Sequence, residues 1–167
     1  MYREKIEELK KWKESSNRKP LIIRGARQVG KTWLMKEFGE KFYEKYAYIN
    51  FDDNSRMNKL FEEDFDIERI IQGLKIESGV NIEPYNTLII LDEIQETPKA
   101  LKALKYFCEN ANEYHIISAG SLLGVAIHEG TSFPVGKVDF MDLKPLSFFE
   151  FLEAIRRKRN FRIIKKE

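Results

Sequence analysis

Residues 25–32 read Gly25-Ala26-Arg27-Gln28-Val29-Gly30-Lys31-Thr32, which fits the pattern G-x-x-x-x-G-K-[ST] at every fixed position. No other stretch restricts the fold of this chain as strongly. The two glycines let the backbone wrap so tightly that successive N–H groups converge on phosphate oxygens. A helix beginning at this point turns its partly positive N-terminus on the same anion. Average residue frequencies put a chance match in such a chain on the order of 0.5%. The flanks also agree with the chemistry. Leu21-Ile22-Ile23, after Pro20, has the compact apolar pattern of a buried parallel strand. From Lys31 to about Lys45 the apolar period is helical, with Leu34, Phe38 and Phe42 on one face. The reading is a nucleotide site built from Gly25, Ala26, Arg27, Gln28, Val29, Gly30, Lys31, Thr32 and Trp33. Lys31 is expected to reach the β- and γ-phosphates, and the Thr32 hydroxyl to ligate Mg²⁺.

The rest of the chain alternates in the same manner. A charged helix is expected over residues 3–14 and a second strand over Tyr46 to Phe51. Two short helices follow between 54 and 79, the second ending near Gly79. Pro84-Tyr85-Asn86 reads as a turn and Leu88 to Leu91 as another buried strand. Thr97-Pro98 reads as a helix start, a hydroxyl cap followed by proline at the first helical position. Leu101, Leu104, Phe107 and Cys108 should face the core from that helix, and His115-Ile116-Ile117 should form a fourth strand. A further strand near Val138 to Leu143, a stop at Pro145 and a helix from Ser147 complete the pattern. Strands and helices at this spacing predict an α/β fold, a three-layer sandwich around a mostly parallel sheet.

Leu88-Ile89-Ile90-Leu91-Asp92-Glu93 is an apolar run that ends in two acids. Carboxylates at the C-terminal edge of a strand face the crevice where ligands of open α/β sheets bind. Beside a phosphate loop, Asp92 is expected to hold Mg²⁺ and Glu93 to orient and polarise the attacking water. Phosphate transfer to a bound metabolite needs no such glutamate, whereas hydrolysis does. Glu93 therefore favours an ATPase over a small-molecule kinase. It also predicts that the fourth strand lies between the phosphate-loop strand and the Asp92 strand. Ser118 and Ser121, at the end of that fourth strand, would then reach the γ-phosphate or its water, or serve as plain turn and cap residues. Lys31, Glu93 and Ser121 are the expected catalytic residues.

Composition sets the outer limits. The chain has 167 residues, 43% hydrophobic and 34% charged, enough for one ordinary core beneath a charged surface. That excludes a disordered protein. The lone Cys108 excludes a disulfide framework. The charged N-terminus and the lack of an apolar run near the roughly 18 residues of a membrane span point to a reducing, cytoplasmic location. A net charge of +2 hides an asymmetry: residues Arg156 to Glu167 carry +6, leaving the other 155 residues at −4. The basic tail either binds nucleic-acid phosphate or is a solvated helix end facing a protein partner.

Four segments in this order are more specific than the phosphate loop alone. They are Ile22 to Thr32, Leu91-Asp92-Glu93-Ile94-Gln95, Ala119-Gly120-Ser121-Leu122-Leu123-Gly124, and Pro145-Leu146-Ser147-Phe148-Phe149-Glu150-Phe151. Together they resemble the prokaryotic ATPases of the AAA superfamily in the AAA_14 (DUF4143-associated) group. The resemblance implies ATP as nucleotide and an additional-strand, conserved-glutamate P-loop fold. Three features depart from it. Gly136-Lys137 stands where Gly-Arg is usual, so a point charge replaces a planar fork. Ala119 stands where threonine is common, and the chain ends at Glu167 where family members usually continue. The expectation is a single ATPase module: a helical lead-in over 1–17, a nucleotide-binding core over 18–146, and a C-terminal helix with basic tail over 147–167. With no arginine finger identified, turnover should be slow, since such a residue can contribute about 10³ to 10⁵ in rate.

Other residues carry two readings each. Arg27 contacts nucleotide or partner, or is a solvated loop residue. Gln95 positions water or signals nucleotide state, or is a polar residue just past the strand. Phe148, Phe149 and Phe151 read as core or interface anchors ahead of a base-stacking platform, and His115 and His128 are assigned no chemistry. The function expected is Mg²⁺-dependent ATP hydrolysis used as a switch or motor. The alternative is a nucleotide-gated binding module for a protein or nucleic acid with incidental hydrolysis, and a phosphotransferase is a third option.

Overall fold

The computed structural model describes residues 5–120, 134–145, 150 and 152. Ser121, His128, Phe148, Phe149, Phe151 and the basic tail lie outside the described residues. In chain order the elements are α1 (Lys5–Glu14), β1 (Leu21–Arg24), α2 (Lys31–Phe42), β2 (Lys45–Asn50), α3 (Ser55–Glu63), α4 (Ile67–Ser78), β3 (Thr87–Asp92), a 3₁₀ turn (Ile94–Glu96), α5 (Pro98–Asn110), β4 (His115–Gly120) and β5 (Asp139–Asp142).

The five strands form one sheet in the order β2-β3-β4-β1-β5, and every neighbouring pair is parallel. β4 therefore lies between the phosphate-loop strand and the Asp92 strand, as the glutamate at position 93 predicts. Side chains alternate across the sheet and divide the core in two. Ile22, Ala47, Ile49, Ile89, Leu91 and Ile116 pack with α3, α4 and α5 on one face. Leu21, Ile23, Leu88, Ile90, Ile117 and Ala119 pack with α1 and α2 on the other. Both faces of β1, β3 and β4 are covered, which is why those strands read as continuous apolar runs rather than alternating ones.

Local chemistry sets several element ends. The Asn54 side chain accepts from Met57 N at 3.2 Å to start α3, and Asp66 Oδ1 accepts from Arg69 N at 2.7 Å to start α4. Caps of this kind contribute about 1 kcal/mol each. Gly79 ends α4 in the left-handed region at φ 68°.

Three expectations need correction. Thr97 precedes α5, but its hydroxyl caps nothing in the helix and donates instead to Asn58 Oδ1 of α3. A long-range partner has outcompeted the local one. Helix α2 stops at Phe42 because Tyr43 turns extended, at φ −130°, and stacks edge-on against Phe38 and His115. Cys108 is only half-buried, one position beyond the buried Phe107.

Candidate nucleotide site

The phosphate loop leaves β1 at its C-terminal edge and enters α2. Gln28 (φ 62°) and Gly30 (φ 93°) are both left-handed, while Val29 between them is not. That alternation of hand turns successive N–H groups toward one hollow. Gly30 caps α2 without any side-chain acceptor, so the first-turn N–H groups stay open to an anion. Gly25 is required for a different reason. A Cβ built there meets the Leu143 carbonyl oxygen at 2.4 Å, because the chain after β5 crosses closely over the loop. Leu143 N donates to Arg24 O at 2.7 Å and holds that crossing in place.

Lys31 is buried, and its ammonium donates to Gly25 O at 2.9 Å and Ala26 O at 2.7 Å. Burial pulls its pKa below the ordinary lysine value, while the nearby Glu93 and Asp92 charges oppose that shift. The ammonium is thus positioned by the loop's own carbonyls at the cleft, in contact with the backbone that would surround a phosphate.

Thr32 Oγ1 donates to Asp92 Oδ2 at 2.5 Å, joining α2 to the end of β3. Since the hydroxyl spends its proton on the carboxylate, its oxygen lone pairs remain for a cation. Asp92 is buried and accepts two further bonds, from Tyr48 OH at 3.0 Å to Oδ2 and from Glu93 N at 3.1 Å to Oδ1. A hydroxyl and a carboxylate are hard oxygen donors, the chemistry that Mg²⁺ takes when phosphate and water complete its shell. The residues fit such an ion.

Glu93 follows Asp92 with a left-handed backbone, φ 52° and ψ 40°, unusual for a residue with a side chain. This turn ends β3, starts the 3₁₀ turn and brings Glu93 to the cleft. Gln95 Nε2 donates to Glu93 Oε2 at 2.5 Å, while Gln95 Oε1 is buried with no hydrogen-bond partner. Gln95 therefore belongs to the glutamate's surroundings rather than to the open surface.

Lys31, Thr32 and Glu93 share one cleft of about 530 Å³ at the C-terminal edge of the sheet. Arg27, Gln28, Lys31, Thr32 and Trp33 line it from the loop and α2, and Asp52, Glu93 and Glu96 from the loops after β2 and β3. Asp52 and Glu96 belong to no motif of the sequence. Position just past a strand's end was the one signal available for Asp52. A second hollow of similar volume, about 530 Å³, lies against Tyr43, Lys45, Tyr46 and Asn81. No phosphate loop borders it.

Two further polar residues that the sequence singles out lie away from the loop. Ser118 shares its sheet face with Ile116, opposite to the face of Ala119 and Asp92, and its buried hydroxyl has no partner. The structure does not bring it to Lys31 and Thr32. Lys137 precedes β5 at the opposite end of the sheet from the loop, where it pairs with Glu109 of α5 at 3.0 Å. No described helix is long and apolar enough to cross a membrane.

Comparison with known proteins agrees with this architecture. A Walker-type ATPase of Pyrococcus abyssi superimposes with a TM-score of 0.63 at 18% identity, covering 97% of this chain and 59% of that one. The RuvB Holliday junction branch migration motor of Thermotoga maritima gives 0.57 at 13% identity, covering 96% and 51%. The Orc1 protein of Aeropyrum pernix, solved in complex with DNA, gives 0.56 at 14%, covering 96% and 50%. This chain spans 50–59% of the length of these structures, and at such identities the likeness concerns the fold alone. Curated proteins offered no match. The AAA_14 family, described as an AAA domain, matches residues 17–152. With the phosphate loop, the acidic strand end and the strand order agreeing, the chain belongs to this family as a P-loop AAA ATPase domain.

Proposed function

We propose that this domain binds ATP with Mg²⁺ and hydrolyses it to ADP and phosphate, and that the cycle serves as a switch or motor stroke. The observation that carries the reading is the Thr32–Asp92 hydrogen bond, 2.5 Å, beside the cleft that Lys31 and Glu93 line. In this reading the loop N–H groups and Lys31 hold the β- and γ-phosphates, and Thr32 and Asp92 hold the cation. When bound, the cation offsets negative charge on the phosphoryl oxygens. Glu93 orients a water for in-line attack on the γ-phosphorus and accepts its proton as the bond to the ADP oxygen breaks.

A second reading, the nucleotide-gated binding module, draws support from the Gln95–Glu93 bond, which engages the carboxylate within the protein itself. Contacts to a protein, or to nucleic acid through residues 156–166, belong to that reading.

Phosphate release from Mg·ATP, measured for wild type and Glu93→Gln beside nucleotide-dependent thermal stabilisation, tests the choice. Stabilisation of both proteins with release by wild type alone, Glu93→Gln being about 10²-fold slower or worse, supports hydrolysis. Stabilisation of both with release by neither removes it in favour of the gated module.

A further inference from the structure

Tyr48 lies on β2, outside the four segments that carry the family resemblance. The parallel register sets Tyr48 opposite Ile90 and Asn50 opposite Asp92, so Tyr48 and Asp92 are diagonal neighbours on adjacent strands. Tyr46 and Tyr48 pack on the α2 face, opposite to the face that buries Ala47 and Ile49. The phenol can therefore reach across the sheet to the end of β3, a span that aromatic side chains cover. Its hydroxyl lies 3.0 Å from Asp92 Oδ2, the same oxygen that accepts from Thr32. From the other side, Lys36 Nζ sits 3.7 Å from the centre of the Tyr48 ring. Lys36 is one helical turn beyond Thr32 on α2, so both α2 residues present the same face to this group. The phenol O–H donates to the carboxylate.

We propose that Tyr48 is a positioning residue: its hydroxyl keeps Asp92 Oδ2 turned toward Thr32 and thereby sets the affinity of the nucleotide site for Mg²⁺. The inference rests on the reading above that Thr32 and Asp92 serve a cation-bound nucleotide. The Asp92 carboxylate has three donors fixing its plane: Thr32 Oγ1, Tyr48 OH and Glu93 N. Without the phenol, Oδ2 is held only by a hydroxyl on a helix that itself borders the ligand. Outer partners of this kind commonly change metal affinity by about 10-fold or more.

The test is a MgCl₂ titration of the binding of a non-hydrolysable ATP analogue to wild type and Tyr48→Phe, with a parallel measurement in EDTA. Phenylalanine keeps the ring and its contact with Lys36 and removes only the hydroxyl. The half-saturating Mg²⁺ concentration should rise about 10-fold while the affinity in EDTA stays within about twofold. In an Asp92→Asn background the same change should have no further effect, since coupled residues are not additive. A Mg²⁺ midpoint unchanged in Tyr48→Phe would overturn the proposal, as would an equal loss in EDTA or a full shift persisting in Asp92→Asn. If wild type shows no Mg²⁺-dependent binding at all, the reading of the site fails along with it. If wild type does and Tyr48→Phe matches it, only the role of Tyr48 fails.

Discussion

The Thr32 hydroxyl and the Asp92 carboxylate meet at 2.5 Å across 60 positions of sequence, one at the start of a helix and the other at the end of a strand two places away in the sheet. Thr32 also lines the cleft beside Lys31 and Glu93, so the contact ties that wall of the cleft to the end of β3.

Lys31 is the residue on which nucleotide affinity should depend most. Its ammonium already has two carbonyl acceptors, so Lys31→Ala removes a positioned charge rather than a mobile one. A charged hydrogen bond contributes about 1.5–3 kcal/mol, so ATP affinity should fall by roughly 10- to 150-fold. Titration calorimetry on the folded variant checks this. Tight ATP binding by that variant would sink the site assignment.

Gly25→Ala should destabilise the protein even though the glycine is not left-handed. The added methyl meets the Leu143 carbonyl oxygen at 2.4 Å, and backbone cannot rotate aside as a side chain does. Overpacking of this kind costs about 1–3 kcal/mol. The urea midpoint should drop by the corresponding amount with an unchanged slope.

Glu93 occupies a backbone conformation that favours glycine, φ 52° and ψ 40°. Glu93→Gly and Glu93→Ala both lose the carboxylate, so the difference between them isolates the backbone term. The glycine variant should be the more stable by about 1 kcal/mol in urea unfolding. Neither should release phosphate. Equal stability would mean that the turn carries no strain.

His115 is buried at the start of β4, with Nδ1 2.6 Å from Tyr43 OH, Nε2 without a partner, and the Trp12 and Tyr85 rings edge-on to it. Burial first, then the Arg18 and Lys13 charges, push its pKa down to about 4 from 6.5. Between those values the unfolded chain binds the proton and the folded one does not. Stability from this group is thus full above about pH 6.5 and is lost as pH falls toward about 4, by about 3 kcal/mol. Denaturation at several pH values should show a steeper acid loss for wild type than for His115→Gln. Parallel pH profiles would exclude His115 as the source.

Much of the site was legible because its chemistry is local. The loop's hand depends on residues within eight positions of each other, and Asp92 and Glu93 announce themselves as acids closing an apolar run. The elements were legible for a similar reason, since burial on both faces writes an apolar run and burial on one side of a helix writes a period. Element ends were less so: the Thr97 hydroxyl was free to choose a distant partner, and Tyr43 left the helix to pack its ring.

By itself, then, the sequence determined the phosphate loop, the acids at the end of β3 and the alternation of strands and helices, all of which rest on near neighbours. Tertiary structure alone decided that Ser118 faces the wrong layer, that Lys137 sits at the far end of the sheet, and that Gly25 must admit a crossing backbone. It also decided that Tyr48 reaches Asp92. Each of these depends on which strands are adjacent and in what register, and a shift of one residue would send every side chain of a strand to the other face. That register is set by packing between segments far apart in the chain, so no window of sequence contains it.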